Sequence, residues 1–505
     1  MTSIASTFAL PGVRFTAVPR PTPPSALRSD VAGFLGRTRR GPVGVPVRVE
    51  GHRAYLREFG GLDGDAVTSY AIRSYFENGG EVAWVVRLGD AGKPAEDLWR
   101  VGERRGFLNT AYRVEASSPG AWANGTTVTI RVQRVGRDDR PTVELGVQAP
   151  GEPPEVLAGL DPRDLEGPDG LPSALIRLVP VGERQGCGAP PGPRRSETRL
   201  ELFGGSLVPP DRFTYQAAAG RLGDEPEVAL VAAPDLATDL RDEERLDLLV
   251  ALALRADELH DRLVLVDLPC GRLAAGDVIR EVAGLAGALP GRAAAVYHPW
   301  VAVTDPLGGI AAPRRTIPPS GSVAGLISRL DRERGAQHTP ANAELEDAVD
   351  LSRSFPPAEE ALFAGRVNLL RCAPGRGLQV WGGRTLDSEP AGRFVAHRRL
   401  VHRLVRALRR VAEPLVFETN GPELWLAFLR AATTVLLEAW RAGGLQGSRP
   451  QEAFRVQCDA ALNPPAERDL GRVLCRIAFA PAVPMEFIEL RVALSADGRL
   501  EVLTP

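Results

Sequence analysis

Apolar residues recur along this chain in two rhythms, and the rhythms predict its elements. Strict alternation marks Val13, Phe15 and the Ala17-Val18 pair, with Arg14 and Thr16 between them, as a strand. Pro19, Pro21, Pro23 and Pro24 follow at once and forbid a hairpin partner there. Near-continuous apolar runs at Val31 to Leu35 and in "EVAWVVRL" (81–88) read as strands buried on both faces. Between them lie a strand from Val45 to Val49 and a helix, "SYAIRSYFENGG", that stops at Gly79-Gly80. Short alternating runs such as "TTVTIRVQRV" and "TRLELF" predict a β-rich insert over 92–222. From 223 the text becomes strand, helix, strand, helix, strand ("EVALVAAPDL" to "GRAAAVYHPWVAV"), which predicts parallel strands with right-handed crossovers.

The last third combines both rhythms. Over 392–411 Phe394, Val401, Leu404, Val405, Leu408 and Val411 share one helical face, and Arg399, His402, Arg403, Arg406, Arg409 and Arg410 hold the other, read as a solvated basic face. "PLVFETN" reads as a strand, Pro422 opens a further helix that ends at Gly443-Gly444, and "FRVQCD", "RVLCRIAFAP" and "EFIELRVAL" read as strands. The tail "SADGRLEVLTP" adds a turn and one more short strand. The fold class is therefore α/β, in a multidomain α+β arrangement with a doubly wound βαβαβ middle domain.

Length supports several cores, since 505 residues exceed what one core sustains. A net charge of −2 argues against a nucleic-acid binder, which needs a clear basic excess. Lys93 is the only lysine, so the abundant arginines reflect a coding bias as well as chemistry. Five cysteines, Cys187, Cys270, Cys372, Cys458 and Cys475, are scattered with no CxxC pair, which predicts neither a disulfide framework nor a zinc site and suits a reducing compartment. "MTSIASTFALPG" lacks the basic start of a signal peptide, and no apolar run is long enough to insert in a membrane.

Candidate chemistry is sparse. Asp235, Asp267 and His298 fall just past strand ends, where doubly wound sheets bind ligands, so a hydrolase or metal enzyme is one alternative. The competing reading has the two acids capping the helices that follow them. "AAPDLATD" has no glycine to cradle a phosphate, and Ser322 in "GSVAG" stands second, not central as in a nucleophile elbow. His397 and His402 are five apart, about 140° around a helix, a poor metal pair.

Longer motifs carry more information. "GRVNLLRCAPGRGLQVWGGRTL", "VFETNGPELW", "FLRAATTVLLEAWRAGGLQGSRPQEAFRVQCD" and "GRVLCRIAFAPAVPMEFIELRV" resemble, in order and spacing, the C-terminal domain of contractile tail sheath proteins. "HPWVAVTDPLGG", "RRTIPPSGSVAGLISRLDRERGAQHTPAN" and, at the front, "PGVRFTAVP", "VAGFLGRTRRGPVGVPVRV" and "SSPGAWANG" resemble earlier parts of the same family, leaving out 130–222. The resemblance implies a structural, non-enzymatic subunit with no cofactor, metal or catalytic residue. Such subunits form a six-start helical homopolymer of hexameric rings around an inner tube, with baseplate and terminal cap proteins as further partners, and contract to drive the tube through an envelope. A non-contractile accessory subunit of the same fold is a second alternative. The implied organisation is a donor-strand arm and proline linker (1–24), the N-terminal part of an inner domain (25–91), an outer insert (92–222), a middle domain (223–365), the C-terminal inner domain (366–494) and an arm extension (495–505). Subunits of the family exchange terminal strands, which points to Val13, Arg14, Phe15, Thr16, Ala17 and Val18 at one end and Phe487, Ile488, Glu489, Leu490, Arg491 and Val492 at the other. The arginine-rich helix becomes a candidate for the inner tube. Assembly is expected in the cytoplasm, with release by lysis.

Overall fold

The computed structural model describes residues 28–101, 110–135, 140–160, 171–181, 195–270, 274–415, 418–482, 488–494 and 500–503. Its largest feature is an eight-stranded sheet. The strands are β1 (Ala32–Gly36), β2 (Val47–Glu50), β3 (Val82–Arg87), β4 (Leu230–Ala232), β5 (Leu263–Val266), β6 (Ala294–His298), β7 (Asn368–Ala373) and β8 (Gly377–Trp381), in the order β2-β3-β1-β4-β5-β6-β7-β8. The six inner strands are parallel, and β2 and β8 close the edges antiparallel.

Six helices cover this sheet: α1 (Gly51–Phe59), α2 (Thr68–Glu77), α3 (Arg212–Gly223), α4 (Asp242–Leu259), α5 (Ala275–Ala288) and α6 (Ser320–Arg334). Successive strand residues face opposite layers. Leu35, Val86, Val264 and Val266 join the core under α3, α4 and α5, while Phe34, Val85, Leu263 and Leu265 join the core under α1, α2 and α6. That double coverage is why these strands read as continuous apolar runs.

A second unit holds α7 (Val395–Ala412), α8 (Pro422–Arg441) and the strands β9 (Phe454–Gln457), β10 (Val473–Phe479), β11 (Ile488–Leu494) and β12 (Leu500–Leu503), an antiparallel sheet in sequence order. Leu404, Val405 and Leu408 of α7 and Phe428 and Leu436 of α8 pack onto Cys475, Ile477 and Phe479 of β10 in a separate core. The insert forms a fourth core from a three-stranded sheet (96–101, 110–116, 176–181) and a four-stranded one (126–135, 140–148, 155–160, 195–202).

The mixed α/β class and the middle βαβαβ unit agree with the sequence pattern. In the large sheet β1 and β3, from the 25–91 stretch, and β7 and β8, from the 366–494 stretch, flank the middle strands β4, β5 and β6. The strand expected over 414–420 is absent from its described part, where Glu413–Leu415 is a 3-10 turn. The helix over 212–223 lies within the range assigned to the insert but packs on the large sheet through Tyr215 and Leu222.

Helix α6 explains "GSVAG". Gly321 and Gly325 lie one turn apart facing α2, and a Cβ on either would stand 2.2 Å from the Ala71 carbonyl oxygen or 2.3 Å from that of Tyr75. Backbone meets backbone here, so no side chain can yield. Gly325→Ala is expected to lower stability by about 1–3 kcal/mol through forced separation of the two helices. Gly284→Ala, on α5 with open space at the Cβ position, is expected to be neutral or stabilising in the same calorimetric comparison.

Candidate assembly surfaces

The arginine face of α7 is not solvated. Arg399, His402 and Arg406 are each at most 2% exposed, and the face lies against the edge where the parallel strands begin. Arg399 donates to the Ser29 carbonyl (2.6 Å), to that of Ala229 (3.3 Å) and to Asp331 (2.6 Å). Arg406 donates to the carbonyls of Arg28 (2.6 Å), Glu227 (2.6 Å) and Val228 (2.9 Å). Arg409, half-buried, reaches Asp261 at 2.6 Å. The Ala229 oxygen also accepts from the N–H of Leu263 at 3.1 Å, and for the others a guanidinium with five N–H groups can satisfy several at once. Burial pushes Arg406 down to about 10, which leaves it charged at neutral pH. Burial also holds His402 well below the usual histidine range, with Arg398 and Arg399 adding repulsion. The solvated-face expectation is therefore corrected. Arg399, His402 and Arg406 are consumed inside the chain, and only Arg403 and Arg410 of the candidate tube contacts remain partly open without a bond to the large domain.

Residues Val13 to Val18 lie outside the described residues, as does Phe487. The described chain begins at Arg28, whose carbonyl and that of Ser29 are the ones held by Arg406 and Arg399. At the other end, β11 (Ile488, Glu489, Leu490, Arg491 and Val492 among its residues) is paired on both sides, Val492 with Cys475 and with Val502. Both edges of this strand are thus occupied by strands of the same chain. The tail strand over 500–503 forms as expected, folded back on β11. Within the described residues the sheet's outer strands are β9 and β12, and each presents one unpaired backbone edge.

Asp235, Asp267 and His298 do lie beyond neighbouring strand ends, yet no hydrogen bond joins any two of them. Asp235, fully buried, accepts from the backbone N–H of Arg37 and Val67 (both 2.7 Å) and of Thr68 (3.2 Å). It caps the start of α2. Asp267 accepts from the N–H of Ser320 at 3.1 Å, the first residue of α6. Each acid caps a helix, although not the one that follows it in sequence. Burial pushes Asp267 up to about 7 and His298 down to about 4, and the His298 ring lies tilted by 39° against Phe355, with centroids 5.6 Å apart. Among the described residues no cluster of three or more His, Cys, Asp or Glu is placed to hold a metal.

With this geometry in view, comparison with known proteins is informative. No family profile matches the chain. A prophage major tail sheath protein of Pseudomonas aeruginosa is 27% identical over 194 residues, 37% of this chain and 49% of that protein. The match thus spans about half the length of that curated relative. The helical sheath of the anti-feeding prophage in its contracted state superposes with a TM-score of 0.57 at 21% identity, covering 95% of this chain and 98% of that one. The sheath tail protein of Listeria innocua gives 0.65 at 13% identity, over 92% and 95%. The chain has the fold of contractile tail sheath proteins, as its motifs suggested.

Two outcomes test these placements. Arg406→Met removes the donor to four carbonyls, those of Arg28, Glu227, Val228 and, at 3.5 Å, Asp261, and is expected to destabilise the protein by about 3 kcal/mol or more, against less than about 0.5 for Arg410→Met, by thermal or denaturant unfolding. For Asp267 the folded pKa lies above its unfolded value of 3.8. The carboxyl's contribution is therefore most favourable below pH 4 and becomes a penalty as pH rises to 7, beyond which the penalty is constant. Asp267→Asn should raise the unfolding temperature at pH 8, and the gain should shrink toward pH 5; a gain independent of pH would contradict this assignment.

Proposed function

We propose that this protein is the structural subunit of a contractile sheath: it polymerises as a six-start helix around an inner tube, on a baseplate, and contracts to drive the tube through a target envelope. The observation that carries the reading is the coverage of the anti-feeding prophage sheath match, which takes in both α/β units and the insert between their strands in one superposition. The subunit would act through its surfaces. The exchanged N-terminal strand, Val13 to Val18, would add to an open edge of a neighbour's four-stranded sheet, β9 or β12.

Magnitudes favour linkage through many copies. Each added backbone hydrogen bond is worth about 0.5–1.5 kcal/mol net, and ordering each arm residue costs about 1–2 kcal/mol. One strand is close to break-even, so stability of the polymer comes from many arms engaged together. The proline run is a stiff spacer that sets the reach of the arm. Arg403 and Arg410 are the residues left to face the tube, where charged and weakly buried contacts can release and re-form during contraction.

Negative-stain microscopy of the full chain should show striated tubes or cogwheel rings. A protein lacking residues 1–20 should fold with an unchanged unfolding temperature but give only isolated particles. Ordered tubes from the truncated protein would remove the arm from the mechanism, and isolated particles from the full chain at high concentration would count against the sheath itself.

A further inference from the structure

Cys458 and Cys475 stand 17 positions apart in sequence, and the C-terminal sheet brings them face to face. Strands β9 and β10 pair antiparallel with Phe454 opposite Phe479, Val456 opposite Ile477 and Gln457 opposite Arg476. One step further the same register sets Cys458 opposite Cys475. Both point into the core, on the face that also buries Phe454, Ile477 and Phe479. The N–H of Ala480 donates to the carbonyl of Ala453 at 2.9 Å, which makes 453/480 a hydrogen-bonded pair. Alternation then makes 458/475 a non-hydrogen-bonded pair, where Cα atoms of facing strands stand about 4.5 Å apart. That spacing lies within the range a disulfide spans, about 4.4–6.8 Å. The Cys458 thiol donates to the carbonyl of Leu474, the neighbour of Cys475 on the facing strand, at 3.5 Å. Asn463 fastens the backbone beside them, donating to the Leu474 carbonyl (3.0 Å) and accepting from the Leu474 N–H (2.6 Å).

We propose that Cys458 and Cys475 are a disulfide-forming pair, oxidised by a small-molecule disulfide of the glutathione type. Cys458 lies just past the end of β9 and is the less enclosed of the two, 6% exposed against 1% for Cys475, so Cys458 is the attacking group. Its thiolate attacks one sulfur of the small disulfide, forms a mixed disulfide and expels one small thiolate. Cys475 loses its proton to that thiolate or to solvent, attacks the Cys458 sulfur and expels the second small thiolate. Two protein thiols are thereby oxidised and one small disulfide is reduced to two thiols. The product ties the edge strand β9 to β10, within the sheet proposed above to receive a neighbour's arm. That consequence, and oxidation after release from a reducing compartment, rest on the sheath reading; the bond itself does not.

The test uses the full chain with Cys187, Cys270 and Cys372 changed to serine, so that two cysteines remain of the five. After incubation with oxidised glutathione, non-reducing digestion and mass spectrometry should show a peptide pair linked through Cys458 and Cys475. No free thiol should remain, and no bound glutathione. The unfolding temperature should rise by a few degrees on oxidation and return on reduction. In the same background Cys475→Ser should trap glutathione on Cys458, and adding Cys458→Ser should abolish any response. Two thiols still open to alkylation after denaturation, or glutathione retained on Cys458 with Cys475 present, would overturn the proposal. Because the linkage is read on the unassembled subunit, it is scored apart from whether tubes form.

Discussion

Everything in the relative placement of the two α/β units depends on one set of contacts, the guanidinium groups of α7 against the carbonyls that precede β1 and β4. A parallel sheet starts all its inner strands along one edge, and the oxygens of Arg28, Ser29, Glu227, Val228 and Ala229 lie there. A buried acceptor left empty costs about 1–3 kcal/mol, so that edge must be covered. Arginine suits the task better than lysine because its planar fork donates in several directions from one fixed group. The charge is balanced nearby by Asp331 and Asp261, which are also buried. Meanwhile the opposite face of α7 packs Leu404, Val405 and Leu408 into the C-terminal core. Separating the units would strand the guanidiniums and the carbonyls together, so the two move as one body.

That rigidity shapes the proposed function. If subunits must slide and rotate without losing their neighbours, compliance has to reside outside the body, in the arm and its proline spacer. The first described residues, Arg28 and Ser29, are held by the same arginines that join the units. The four-stranded sheet has two outer strands, and their surroundings differ. β9 lies beside the Cys458–Cys475 pair, and β12 lies beside α7, where Arg409 points at the Leu500 carbonyl.

Much of this was legible from residue pattern, and the failures are instructive. Strands β1 and β3 and helices α2, α4, α5, α7 and α8 fall within a few residues of their expected bounds, because each has either a doubly buried run or a clear 3.6-residue stripe. The burial of the α7 arginines was not legible. An amphipathic stripe reports that two faces differ, and a face that meets backbone carbonyls has the same composition as one that meets water. Helix α6 escaped because Gly321, Ser322, Ala324 and Gly325 show no apolar stripe; they are small because α2 lies against them. The cysteine pair was invisible for another reason. Spacing motifs detect ligands held by local turns, whereas Cys458 and Cys475 meet only through strand register.

The candidate enzyme site illustrates how a fold's usual ligand position can be used up by structure. In doubly wound sheets ligands bind beyond the carboxyl ends of the strands, and here those ends carry Asp235, Asp267 and His298. Asp235 is spent on two backbone N–H groups at the start of α2 and on that of Arg37 just past β1, and Asp267 on the first N–H of α6. Beside them the indole of Trp300 donates to the Leu268 carbonyl at 2.7 Å and closes the gap between adjacent strand ends. Asp267 near neutrality and His298 well below it are what burial alone produces, since desolvation is the first cause of both shifts. A perturbed pKa marks a functional site only when a reacting group can approach it, and these side chains are 7% and 2% exposed. Among the described residues, what this arrangement leaves open is the periphery: two sheet edges and the part of α7 that the arginine contacts do not cover.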